Sequence, residues 1–195
     1  MKQFGLVFAL GCAILGAPVS HAIPITFTAT LDQNEVIPTG SSGTGSAIVV
    51  FDTAAHTLSV HVDFAGLSGN VTASHIHCCT AIAGAGAIGV ATETPTFGGF
   101  PLDVTSGSYD NTYDTTLAAS FNAPFVTENG GTAAGAEAAL FAGALAGESY
   151  FNIHTNLFPG GEIRGFLHQV PEPASLALLG LGFAGLGFGR RRRAH

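Results

Sequence analysis

Three histidines, two adjacent cysteines and one arginine are the residues whose types and spacing can do chemistry here. His75 and His77 lie two apart in Val71–Cys79. If that segment is a strand, both imidazoles leave the same face, together with Ala73 and Cys79. His154 lies in Tyr150-Phe-Asn-Ile-His-Thr155, where Phe151 and Ile153 read as core and set Tyr150, Asn152 and His154 opposite. Neutral imidazole suits copper and zinc, so convergence of His75, His77 and His154 would make a metal site. The competing reading is a polar network of these histidines and Arg164 that closes one end of the fold. Geometry separates the two, because ligands at about 2.0–2.1 Å from a metal hold their nitrogens within about 4–5 Å of a common point.

Cys78 and Cys79 raise a different question. Consecutive Cα atoms sit about 3.8 Å apart across a trans peptide, below the usual disulfide range of about 4.4–6.8 Å. A vicinal bridge therefore belongs in a turn and is of the strained, reducible kind. In a strand the two thiols point to opposite faces, which works against joint chelation. A vicinal disulfide, free thiols, and soft-metal ligands beside the histidines all stay open. Arg164 reads as a structural partner of Glu162, Asp63 or another carboxylate. No catalytic residue is expected. The acids are scattered singly, without the close pair of a glycosidase. No Gly-x-Ser-x-Gly elbow occurs, and a glycine loop with a phosphate-binding Lys is missing too. Asp32, Asp52, Asp103, Asp110 and Asp114 fall mainly in loops, without calcium-loop spacing.

The elements that must position these residues are mostly short strands. Ile25–Leu31 alternates Thr26, Thr28 and Thr30 with Phe27, Ala29 and Leu31. Asp32–Gly45 reads as a loop and Ser46–Asp52 as a second strand. Thr57–Phe64 is the cleanest alternation, with Leu58, Val60, Val62 and Phe64 on one face. Val71–Cys79 follows after a turn at Gly66–Asn70. Short connections make antiparallel neighbours. Thr80–Thr105 is rich in Gly, Ala, Thr and Pro, with one strand at Ile88–Thr92, and Ser106–Asp114 reads as irregular. Gly131–Gly147 carries Ala134, Glu137, Ala138, Leu140, Phe141 and Leu145 at helical spacing, with Thr132 as N-cap. Ser149–Leu167 closes the region as a hairpin around Pro159-Gly-Gly161. Its core faces match only if opposed residues have an even sum, which puts His154 across from Arg164 or Glu162. The expected fold is mainly β: an antiparallel β-sandwich, immunoglobulin-like or a related Greek key, with one short helix near 132–146.

Both ends read as processing segments, a signal helix first and a short transmembrane helix last. Residues 1–22 have Lys2, an apolar run and small residues before the end, as a secretory signal peptide does. Residues 170–195 hold Pro171-Glu172-Pro173, about 16 small and apolar residues, then Arg190, Arg191, Arg192 and Arg193. That run can just cross a bilayer, with the arginines holding its end in the cytoplasm. Between them, residues 23–169 form one domain. Of 13 acids all but Glu172 fall there, against the single base Arg164, so the domain is near −11 rather than −7. Such a domain excludes nucleic acid as a partner and suits an exported protein or one that draws cations.

Two resemblances follow from these residues. Pro-Glu-Pro, the Gly/Leu-rich run and the Arg cluster resemble the PEP-CTERM sorting signal of Gram-negative bacteria. That likeness implies recognition by an exosortase-type membrane enzyme, cleavage near Pro-Glu-Pro, and a protein held transiently in the inner membrane before it reaches the envelope or the exterior. Phe27-Thr-Ala-Thr-Leu-Asp-Gln-Asn-Glu-Val-Ile-Pro38, Leu58–Phe64, His75-Ile-His77, the Ala-rich helix and Tyr150–Gly165 together resemble the CHRD domain. It implies an all-β sandwich and no established catalytic activity. His-x-His on a sandwich strand is similar, in spacing alone, to part of the copper site of copper-zinc superoxide dismutases. The expectation is an exported, non-enzymatic interaction or matrix module with no cofactor, whose partners would be extracellular polysaccharide or other surface proteins. The alternative is a copper or zinc protein, carrier or oxidoreductase, built on His75, His77 and His154.

Overall fold

The computed structural model describes residues 23–33 and 38–171. The expected signal helix and transmembrane helix lie outside these residues, as do Glu172, Pro173 and Arg190–Arg193. Among the described residues no helix is long and apolar enough to cross a membrane.

Alternation of apolar and polar residues builds the first strands, β1 (Ile25–Gln33), β2 (Thr44–Asp52) and β3 (Thr57–Ala65), as a meander. Phe27, Ala29, Leu31, Val49, Leu58, Val60 and Val62 are buried along one face, and the threonines of β1 point outward. After β4 (Val71–His77) and β5 (Gly107–Asp114), two helices, α1 (Ala123–Glu128) and α2 (Ala133–Leu145), precede β6 (Tyr150–Thr155), β7 (Ile163–Phe166) and β8 (His168–Gln169). All pairings are antiparallel, in the order β4-β6-β7-β1-β2-β3-β5, with β8 also on β1. β1 joins the two halves of this curled sheet. Phe27 and Thr28 pair with β8, while Asp32 and Gln33 pair with β7. The architecture is thus mainly antiparallel β with a short helix where the helical spacing predicts one. Thr132 caps α2 through its side chain, which accepts from Gly135 N at 3.1 Å. Ala136, Leu140, Gly143 and Ala144 form the buried side of α2.

Three segments differ from the sequence reading. Ser106–Asp114 is not irregular, since most of it forms β5 along β3. Tyr109 and Tyr113 turn inward against Phe97, with their hydroxyls 2.6 Å apart, and Asp110 and Thr112 between them face out. Ile88–Thr92 is no strand. It meets β4 through one bridge, His77↔Val90, and through Ile76 N, which donates to Thr92 Oγ1 at 2.9 Å, while Thr92 also bridges Phe121 outside the sheet. β4 stops at His77, so Cys78 and Cys79 lie beyond the strand rather than on alternate faces of it.

Candidate metal centre

Adjacent β4 and β6 carry the three histidines. Their register pairs Ala73 with His154, His75 with Asn152 and His77 with Tyr150. His154 therefore lies opposite the small Ala73 and diagonal to His75, and its ring fills the space between the other two. Ring centroids are 5.2 Å apart for His75 and His154, 5.5 Å for His77 and His154, and 5.9 Å for His75 and His77. One ligand nitrogen from each ring lies within 4.8 Å of the others. His75, His77 and His154 are thus grouped on one face of the β4–β6 pair.

Each ring is fixed by a backbone carbonyl. His75 Nε2 donates to Pro95 O at 2.7 Å, His77 Nδ1 to Ile88 O at 2.8 Å, and His154 Nδ1 to Pro159 O at 2.8 Å. A carbonyl only accepts, so each of these nitrogens carries the proton and the other nitrogen of each ring is unprotonated and presents a lone pair. The three lone pairs belong to His75 Nδ1, His77 Nε2 and His154 Nε2. His77 Nε2 and His154 Nε2 face each other at 3.4 Å, and His75 Nδ1 is buried without a partner. Burial drives the pKa of His75 and of His77 down to about 4 and lowers that of His154. At neutral pH the cluster is uncharged. Tyr150 braces it, with its ring stacked on His77 at 4.8 Å and its hydroxyl donating to Ile88 O at 3.2 Å.

The sequence pattern gives no sign of these anchors. Two come from the 80–105 segment and one from the hairpin turn, and a main-chain carbonyl has no residue type. Strand alternation puts Asn152 on the histidine face, but an asparagine at that position carries no signal of a role. It is 1% exposed, and its Nδ2 lies 3.3 Å from His154 Nε2 and from Gly160 O.

Arg164 departs from the expectation. Among the described residues no carboxylate pairs with it. Its guanidinium lies 4.7 Å from the Tyr150 ring centre and 5.5 Å from that of Phe166, and Nη1 donates to Gly86 O at 3.0 Å. Two aromatic faces and a carbonyl take the place of the acid. The hairpin register is of the even-sum kind, Ile153 with Ile163 and Asn152 with Arg164, so Asn152 rather than His154 stands across from the arginine. Glu162 is fully buried, and its carboxylate accepts from Ser41 Oγ, Ser68 N, Gly69 N and Thr155 Oγ1. Burial raises its pKa, but those four donors together outweigh it and hold the group below the ordinary carboxylate value.

Cys78 and Cys79 are joined to each other by a disulfide, with Cα atoms 3.0 Å apart. Both sulfurs lie toward Ala139 O on α2, and a Cβ at Gly143 would collide with both. They therefore face the helix and its apolar core. Of the sorting residues, Pro171 alone is described, and it is exposed.

Comparison with known families accounts for most of the chain. The CHRD domain model matches residues 27–167, and the PEP-CTERM protein-sorting motif matches residues 169–193. No curated protein matches the chain, and no solved structure does. The sorting motif marks the protein as exported and as a substrate of an exosortase, a membrane enzyme, with a transient membrane anchor before processing. With one family model spanning nearly all of the β domain, from Phe27 of β1 to Leu167, the chain belongs to the CHRD-domain family.

Proposed function

We propose that this exported CHRD protein is a non-enzymatic metal-binding module that holds one copper or zinc ion on His75 Nδ1, His77 Nε2 and His154 Nε2. One observation carries the reading. Two unprotonated nitrogens face each other at 3.4 Å, with a third buried and unpartnered beside them. A hydrogen-bonded network of the three rings would need a proton between them, and all three N–H groups are spent on carbonyls. A cation removes the lone-pair repulsion. Ligands at about 2.0–2.1 Å around a tetrahedral ion stand about 3.3–3.4 Å apart, which is the His77–His154 spacing. The carbonyl anchors act as outer-shell partners do at metal sites, setting the tautomer and the ring orientation. Low pKa values favour the same reading, since no proton has to leave before the ion enters.

The chemistry around the cluster favours binding over catalysis. Its near neighbours are carbonyls, Tyr150 and Asn152, with no nucleophile–base pair among them. The wider setting proposed for such a protein is the cell surface or extracellular matrix, in contact with polysaccharide or other surface proteins; the export signal supports its delivery there.

Metal analysis of protein purified without a His-tag tests the proposal. About one copper or zinc per chain is expected, and loss of that metal in a His75→Ala/His77→Ala variant that keeps its β circular dichroism. Equal metal content in the folded variant would sink it.

A further inference from the structure

Asn152 sits where the trihistidine cluster lacks a fourth group. Its Cα partners across the sheet are His75 on β4 and Arg164 on β7. The Nδ2 atom is 3.3 Å from His154 Nε2. That nearly equals the 3.4 Å between His77 Nε2 and His154 Nε2, and both distances fit the edge of one ligand tetrahedron, about 3.3–3.4 Å. The Oδ1 atom is buried and has no hydrogen-bond partner, an arrangement that is unfavourable unless something else satisfies it. Room for the amide is made on its other side by Gly161, whose φ is +111° and where a Cβ would run into the Asn152 amide.

Resting on the trihistidine reading, we infer that Asn152 is the fourth ligand, through its carbonyl oxygen. In the metal-free protein the amide N–H caps the lone pair of His154. When an ion takes that lone pair, the N–H faces a cation and is repelled. A half turn of the amide exchanges nitrogen for oxygen, gives up the 3.3 Å bond to Gly160 O and puts an oxygen–metal bond in its place. The buried oxygen that has no partner without metal gains one with it. Three imidazoles and a hard oxygen suit zinc(II) and disfavour copper(I), which prefers soft sulfur ligands. Asn152 therefore sets which metal the site keeps.

The test measures zinc(II) affinity with a competing chelator, and the visible spectrum with cobalt(II) in place of zinc. Asn152→Leu is expected to weaken zinc binding at least tenfold and to lower the intensity of the cobalt bands that mark four-coordination. Asn152→Asp, which adds charge without changing shape, is expected to tighten zinc binding at least tenfold. Thermal unfolding in chelator shows whether each variant folds, and if Asn152→Leu does not, Asn152→Asp decides alone. Wild-type affinity and spectrum in a folded Asn152→Leu variant, or unchanged or weaker affinity in Asn152→Asp, overturns the assignment of Asn152 and leaves the three histidines standing. Wild-type protein that takes up no zinc, cobalt or copper overturns both.

Discussion

Gly143 on α2 lies directly against the sulfurs of Cys78 and Cys79, so that a single methyl group at residue 143 would overlap both. Helix and disulfide thus dock by a bare backbone surface. Gly143→Ala would raise intrinsic helix propensity by about 1 kcal/mol, yet overpacking of this kind costs about 1–3 kcal/mol. A net loss of stability is expected in thermal unfolding. The loss should shrink when Cys78 and Cys79 are both replaced by Ala, because the colliding atoms are gone. Equal losses in the two backgrounds would separate the helix from the cysteines. In protein lacking residues 1–22, denatured material should show no free thiol before reduction and two afterwards.

Glu162→Gln should be strongly destabilising although it changes one atom type. The carboxylate accepts two hydroxyl and two main-chain N–H bonds, and it links the 38–43 segment, the 68–69 turn and β6. Hydrogen bonds to a charged group contribute about 1.5–3 kcal/mol each, and the amide turns an NH2 toward donors. A loss of about 3 kcal/mol or more in denaturant unfolding is expected. A change under 1 kcal/mol would show that the buried charge is not the tie it resembles.

Arg164→Lys is expected to behave like a loss rather than a conservative change. A lysine keeps the charge but has no planar face to lay on Tyr150 and Phe166, and its single ammonium cannot reproduce the fork that reaches Gly86 O. The expected cost is about 1–3 kcal/mol, with Arg164→Met no worse than Arg164→Lys. Full stability in the lysine variant would restore the carboxylate-partner expectation.

Acid should weaken the metal-free domain in two steps. His75 and His77 have folded pKa values near 4 against 6.5 in the unfolded chain. Between those values the unfolded state binds more protons, so stability rises with pH across the window and is lost as pH falls from about 6.5 to 4. Each shift of this size corresponds to roughly 3 kcal/mol. Glu162 is lowered in the folded state, so its contribution is present above the unfolded carboxylate value and is lost as pH falls through its folded pKa. Unfolding midpoints measured in chelator from pH 7.5 to 3 should show the first decline in wild type and a smaller one in a His75→Asn/His77→Asn variant. Parallel curves would show that burial does not hold the rings neutral.

Much of this was readable from side-chain pattern. The Thr57–Phe64 alternation marks β3 almost to the residue, and the Ala-rich stretch after Thr132 marks α2. The period-2 rule applied to His75 and His77, and to His154 behind Phe151 and Ile153, was enough to put three imidazoles on one face. What escaped has causes of another kind. β5 is polar at nearly every exposed position and looks like a turn, and only the packing of Tyr109 and Tyr113 shows that it is an edge strand. Arg164 has twelve acids in its domain to choose among, but its position beside Tyr150 and Phe166 decided its partners. The carbonyls of Ile88, Pro95 and Pro159 fix the tautomers from loops whose path depends on the whole fold.

One consequence of β8 concerns export. Val170 N bonds to Thr26 O at 2.8 Å, and Gln169 pairs with Phe27, so among the described residues the last ties of the domain fall inside the 169–193 sorting motif. No slack separates cargo from address. An exosortase that cut near Pro-Glu-Pro would have to approach within a few residues of a folded surface, and the same short run of backbone serves two masters. A cut after Pro171 would spare every hydrogen bond described for the domain, whereas a cut before Gln169 would unzip the strand that covers the first half of β1. The seam at His168–Gln169 thus limits how far toward the domain processing can trespass without cost to the fold.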